Sequence, residues 1–148
     1  MENLLEHVQR FLQDNQFTLQ NHIRLESAQP DCASFSLQIQ PGSCNSYGQV
    51  HGGAIYTMAD NAAGVAAMSD GRFYVTQAGT LHFLHNQSHG SMLATAQVRH
   101  RGKNLCLVDV SITDENGRLL ATGDFTFFCL DQEHSQDSFR KPQISGSI

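Results

Sequence analysis

Charge is scarce in this chain, and positive charge is scarcest. Only 16% of its 148 residues are charged, against about 25% in an ordinary globular domain. Nine Lys and Arg face fourteen Asp and Glu, for a formal net charge of −5. The basic face that nucleic acid requires is therefore not expected. Long apolar runs are also missing. The longest stretch of small, mostly apolar side chains runs from Ala62 to Met68, well short of the roughly 20 residues of a membrane helix, so no membrane span is expected. Glu2 and Glu6 stand where an export signal would carry positive charge, which makes the cytoplasm the expected location. The four cysteines, Cys32, Cys44, Cys106 and Cys129, include no CxxC pair and no zinc-finger rhythm. Reduced thiols are expected rather than a disulfide framework. Of the eight histidines, His82, His85 and His89 crowd together. On a strand, however, His82 and His85 would point to opposite faces, so no metal site is expected.

What is present fits one domain, residues 1–130, followed by a polar tail over 131–148. Leu4, Leu5, Val8, Phe11 and Leu12 recur at helical spacing and predict an amphipathic helix over 2–13. Even spacing of Leu19, Ile23 and Leu25 predicts a strand over 19–27. The alternation of Phe35, Leu37 and Ile39 with polar neighbours predicts another over 32–40. Residues 41–53 read as a loop. Residues 53–69 leave almost no polar face, and a helix apolar nearly all round is buried on nearly all sides. Four strands follow, over 72–86, 92–101, 104–113 and 118–130. Asn116-Gly117 marks a hairpin between the last two. One buried helix against an antiparallel sheet is an α+β arrangement, and a curved sheet wrapped around one long central helix is the hotdog layout. Phe73, Phe83, Phe125, Phe127 and Phe128 are expected in core or interface packing rather than in a specific pocket.

The residues that could carry chemistry cluster around the start of the apolar helix. Asp60 lies in its middle, where a carboxylate is costly unless it is paired or used. Facing a closed site, its pKa would rise toward that of a general base. Facing a hydroxyl, it would be an ordinary hydrogen-bonded Asp. Gly52 and Gly53 open the helix, where bare N–H groups hold a developing oxyanion or simply make a tight turn. Asn45 and His51 are polar neighbours that orient a carbonyl or a water, or satisfy the backbone of their own loop. Gly52 and Asp60, eight residues apart, are separated by about 12 Å along a helix at 1.5 Å per residue. If both act on one bond, a second copy must supply one of them, which implies a two-fold dimer with sites at its interface.

The segment from Asn45 through His51-Gly52-Gly53 to Asp60 resembles the signature of the PaaI-like (phenylacetic acid degradation) thioesterases of the hotdog superfamily. The segments 80–84, 94–103 and 117–123 resemble that family's later strands, so the likeness covers roughly residues 30–130. The resemblance implies hydrolysis of acyl-coenzyme A thioesters of an aromatic or medium-chain acid. Asp60 would be general base or nucleophile, Gly52 N–H would polarise the carbonyl, and Asn45 and His51 would line the site from the facing subunit. It also implies a hydroxyl beyond the helix. That position falls on Thr76, with Gln77 the neighbouring candidate. No cofactor is implied, coenzyme A being part of the substrate, and the assembly would be a homodimer or a tetramer of dimers.

Arg99, Arg101 and Lys103 place three of nine basic residues within five positions. They suit the phosphates of coenzyme A, or they are a charged strand edge that blocks sheet aggregation. Two other readings of the fold compete: an acyl-CoA-binding module without catalysis, serving as sensor or scaffold, and a hydroxyacyl-thioester dehydratase. The loop to His51 holds only Pro41, which argues against the latter.

Overall fold

The computed structural model describes residues 3–131; the expected tail from 132 on, and residues 1 and 2, lie outside them. The chain opens with helix α1, Leu4–Leu12, closed by a reciprocal cap in which Asn3 Oδ1 accepts from Glu6 N–H at 2.9 Å. Its apolar stripe packs down and buries Val8 completely. A second short helix, α2 (Gln16–Gln20), follows, capped by Asn15 Oδ1 accepting from Thr18 N–H at 3.2 Å. This corrects the expected strand over 19–27. Leu19 belongs to α2, and the chain reverses at His22, whose φ is 57°, before strand β1 (Ile23–Gln29) begins.

β1 forms a hairpin with β2, Cys32–Gln38, whose Phe35 and Leu37 are fully buried as their alternation predicts. A loop with one 3₁₀ turn, Pro41–Ser43, leads into helix α3, Gly52–Met68. The remaining strands are β3 (Phe73–Phe83), β4 (Ser91–Arg101), β5 (Leu105–Asp114) and β6 (Leu119–Asp131). Asp131, assigned to the tail by sequence, pairs with Phe73 as the last residue of β6. The β5–β6 turn also differs from the expected one. Only Gly117 has positive φ (81°), because Asp114 Oδ1 accepts from the N–H groups of Asn116 and Arg118 and shapes a longer loop.

The six strands of the described residues form one antiparallel sheet in the order β1-β2-β4-β5-β6-β3, wrapped around α3: the expected α+β hotdog layout. Ala54, Ile55, Met58, Ala59, Ala62 and Ala63 of α3 are among its buried side chains, and the small size of the alanines lets the sheet come close. The burial is less complete than composition predicts. One stripe of α3 at helical spacing, with Tyr56, Asp60, Asn61 and Gly64, is only partly covered.

β3 is the outer strand beyond β6, and its pairing is interrupted at Gln77, an extra residue between Thr76 and Ala78. The bulge switches the phase of the strand. Tyr74 and Thr76 before it, and Gly79 and Leu81 after it, all sit opposite Cys129, Phe127, Phe125 and Gly123 respectively. Gly123 must be bare, because a Cβ there would lie 1.9 Å from Thr80 O.

At the far end of α3 an ionic network fastens helix to sheet. Arg101 donates to the carbonyls of Ala67 (2.8 Å) and Ala66 (3.2 Å) and to Tyr74 Oη (2.9 Å). It also pairs with Asp70 at 2.9 Å and Asp31 at 2.8 Å. Asp70 additionally accepts from Arg72 Nε and from Tyr74 Oη, both at 2.7 Å. Burial pushes the Asp70 carboxyl up, but the hydrogen bonds from Arg72 and Tyr74 and the Arg101 charge outweigh it and hold it below the ordinary value. A guanidinium on the last carbonyls of a helix also meets the negative end of its dipole.

Candidate active site

The start of α3 is built by the loop before it. His51 is the N-cap, and its Nδ1 accepts from Gly53 N–H at 2.9 Å, while its carbonyl takes the N–H groups of Ala54 and Ile55. Of the two glycines, then, Gly53 is already committed. Gly52 N–H meets no acceptor among the described residues, and it stands at the positive end of the helix. Phe83, half exposed at the end of β3, lays its ring 3.6 Å from where a Gly52 Cβ would be.

Asn45 organises its own loop. Its Oδ1 accepts from Tyr47 N–H at 2.9 Å and Gln49 N–H at 3.2 Å, which leaves its amide Nδ2 as a donor. The loop is pinned by Val50 N–H to Gln87 O, His51 N–H to Ser43 O and Asn86 Nδ2 to Val50 O, so His51 and Gly52 are held from both sides.

Asp60 lies on the partly covered stripe of α3, two turns further on. Thr76 Oγ1 donates to its Oδ1 at 2.8 Å. The bulge at Gln77 is what separates the two sequence candidates: Thr76 reaches the carboxylate, whereas Gln77 is the exposed, unpaired residue of the strand. Burial raises the Asp60 pKa, and the Thr76 hydrogen bond offsets part of the rise. Beside the carboxylate is a cavity of about 160 Å³, walled by Leu12 and Phe11 of α1, Asn61 and Gly64 of α3, and Phe73 and Phe127 of the sheet. Phe73 and Phe127, expected only in packing, are thus cavity walls as well. Asn61 Nδ2 donates to Thr18 Oγ1 at 2.8 Å, fastening α2 to the helix that carries Asp60.

The structure brings Asn45, His51 and Gly52 together at one end of α3, and Asp60 and Thr76 together near its middle. The three basic residues of 99–103 stand in different surroundings. Arg101 is turned inward onto the end of α3. Arg99 lies on the outer face against Asp109 at 3.2 Å, and Lys103 is exposed in the β4–β5 turn. His85 lies beyond the end of β3, so the strand-face argument holds for His82 alone. The His85 ring contacts Arg118 at 2.8 Å. Sequence reasoning missed Leu12, Asn61 and Phe83 as site neighbours. Only the apolar spacing of Leu12 gave any signal, and that signal reads as packing.

Residues 47–121 match the thioesterase superfamily. Acyl-coenzyme A thioesterase PaaI of Escherichia coli strain K12 is 37% identical over 78 residues, 52% of this chain and 56% of PaaI, so the match spans little more than half of that relative. The structure of the E. coli PaaI protein from the phenylacetic acid degradation operon shares the fold, with a TM-score of 0.82 at 24% identity over 86% of this chain and 94% of that one. A hypothetical thioesterase protein of Streptococcus pneumoniae TIGR4, solved with coenzyme A, has a TM-score of 0.71 at 26% identity, covering 75% of this chain and 90% of the other.

Proposed function

This chain belongs to the thioesterase superfamily, and from that premise we propose that it hydrolyses the thioester of an aromatic or medium-chain acyl-CoA, releasing the free acid and coenzyme A. The observation that carries the reading is the Asp60–Thr76 pair: a partly buried carboxylate of raised pKa, one oxygen held by a hydroxyl, at the mouth of a largely apolar cavity. In this reading Asp60 takes a proton from a water held near its second oxygen, and the water oxygen attacks the carbonyl carbon. The carbonyl oxygen gains negative charge and is met by Gly52 N–H. The C–S bond then breaks, and the coenzyme A thiolate leaves and is protonated. Asn45 Nδ2 and His51 orient the thioester. Coenzyme A enters as part of the substrate, and no separate cofactor is invoked. Arg101 has no part in phosphate binding here, while Lys103, exposed and without a carboxylate partner among the described residues, keeps that role.

The spacing of about 12 Å between Gly52 and Asp60 supports a homodimer, or a tetramer of dimers, in which each site takes Gly52 from one chain and Asp60 from the other. The open edge of β3 supports it as well. This strand of 11 residues pairs with β6 on one side only and ends in exposed Phe83, with exposed Leu84 just after it. Such an edge is a template for another strand. The test is release of free thiol from a panel of acyl-CoA esters by the purified protein and by Asp60→Asn. Asp60→Asn should lower kcat by on the order of 10²-fold or more, with a smaller change in KM. A folded, fully active Asp60→Asn protein refutes the mechanism. Tight acyl-CoA binding with no thiol release by the native protein would favour the binding-module reading.

A further inference from the structure

Helices α1 and α2 lie before residue 47 and so outside the segment that matches the superfamily. The end of α1 and the cap of α2 nevertheless wall the cavity beside Asp60, to which Phe11, Leu12 and Asn15 contribute. On the other side of Leu12 is a second cavity of about 280 Å³, floored by Ile23, Leu25 and Phe35. Leu12 borders both. Thr18 of α2 borders the second cavity and Asn61 the first, and the 2.8 Å hydrogen bond between them continues the same wall.

We propose that Leu12 is the partition that limits acyl length, separating the cavity beside Asp60 from an apolar extension that longer chains would otherwise enter. The inference rests on the acyl-CoA hydrolase reading above. The first cavity, about 160 Å³, is close to the roughly 150 Å³ of an apolar cavity known to hold benzene. It therefore accepts an acyl tail of about six carbons. A longer tail must stop at Leu12 or push it aside. Shortening Leu12 would add the 280 Å³ of the second cavity to the reach of the first, over an apolar floor that rewards each further methylene and between polar sides formed by Gln9, Gln13, Thr18 and Arg24.

The test is the acyl-length profile of kcat/KM, from acetyl-CoA to dodecanoyl-CoA, for the native protein, Leu12→Ala and Leu12→Phe. Circular dichroism melts check that each is folded. The native profile should peak near six carbons. In Leu12→Ala the dodecanoyl to hexanoyl ratio of kcat/KM should rise tenfold or more. A newly buried methylene is worth about fourfold, or about 0.8 kcal/mol, so two of them already exceed that threshold. In Leu12→Phe the peak should move to shorter chains. If the native protein is active and the folded variants keep its profile, the partition is wrong while the hydrolase reading stands. If the native protein hydrolyses no acyl-CoA, both fall. Should Leu12→Ala not fold, the direction of the Leu12→Phe shift decides alone.

Discussion

Replacing Arg101 with Ala separates two roles that the sequence leaves open for it. As a phosphate contact it would change KM; as the fastening at the end of α3 it would change stability. Its side chain is 20% exposed and its partner Asp70 14%, so their 2.9 Å pair is largely shielded, whereas Asp31 is 51% exposed and adds little. Breaking a fully buried pair costs about 3–5 kcal/mol. Here Asp70 keeps Arg72 and Tyr74 and is not orphaned, so the pair itself contributes less, about 1–2 kcal/mol. Losing the cation and donors on the Ala66 and Ala67 carbonyls removes about another 1–2 kcal/mol. A total near 3 kcal/mol is expected, and at about 2–4 °C per kcal/mol for a chain of this size Tm should fall by about 6–12 °C. Arg101→Lys should recover only part of it, because an ammonium cannot span two carbonyls, a phenol and two carboxylates as the planar guanidinium does. Urea and thermal melts at fixed protein concentration measure the loss, and thiol release measures KM. A variant within about 0.5 kcal/mol of the native protein, with KM for acyl-CoA raised several-fold, would refute the structural assignment and restore the phosphate role.

Asp60 has a raised pKa, so its ionised form is the one that folding disfavours. Its contribution to stability is present at acid pH and lost as pH rises through the folded pKa. Asp60→Asn should therefore melt higher than the native protein at neutral pH, with the gain vanishing below the ordinary value of 3.8, while the native kcat/KM falls on an acid limb lying above that value. Thr76→Val, which keeps the shape and removes the donor, should move that acid limb upward; an unmoved limb would mean that the 2.8 Å bond does not tune the base. Isolated mixed dimers of Asp60→Ala and Asn45→Ala chains should recover up to about half of native activity, since two-fold symmetry leaves one intact site in two. Activity no higher than the mean of the two parents would place all the groups in one chain.

The parts of the fold that sequence makes readable are those in which one periodicity runs unbroken. β2 alternates cleanly, and α3 is apolar enough that Asp60 stands out by its cost alone. β3 hides its pattern because the extra residue at Gln77 reverses the alternation midway, so neither the strand's inner face nor the aim of Thr76 follows from spacing. Thr76 came forward through family resemblance instead. Residues 15–22 mislead for another reason. A single-turn helix capped by Asn15 leaves Leu19 and Ile23 at the even spacing of a strand. Arg101 is illegible locally, since its partners Ala66, Ala67, Asp31 and Asp70 are distant in sequence and meet it only once the sheet has wrapped the helix.

The strand order carries a consequence in time. β4, β5 and β6 follow one another through short turns: Arg101 pairs with Cys106 and Thr113 with Leu119. β3 instead skips that whole meander, its nearest pair being Phe83 with Ala121. Closing so long a loop costs entropy before any contact repays it, so in a folding chain β3 docks after the meander has formed. Its pairing also lies at the margin of the sheet, where local opening is easiest. Thr76 rides on that strand, so the Asp60–Thr76 pair is assembled late and comes apart before the meander does. Activity should therefore fade at denaturant concentrations that leave the meander intact, with the β3 amides of the isolated chain exchanging hydrogen faster than those of β5. Equal protection of the two strands would rule that order out.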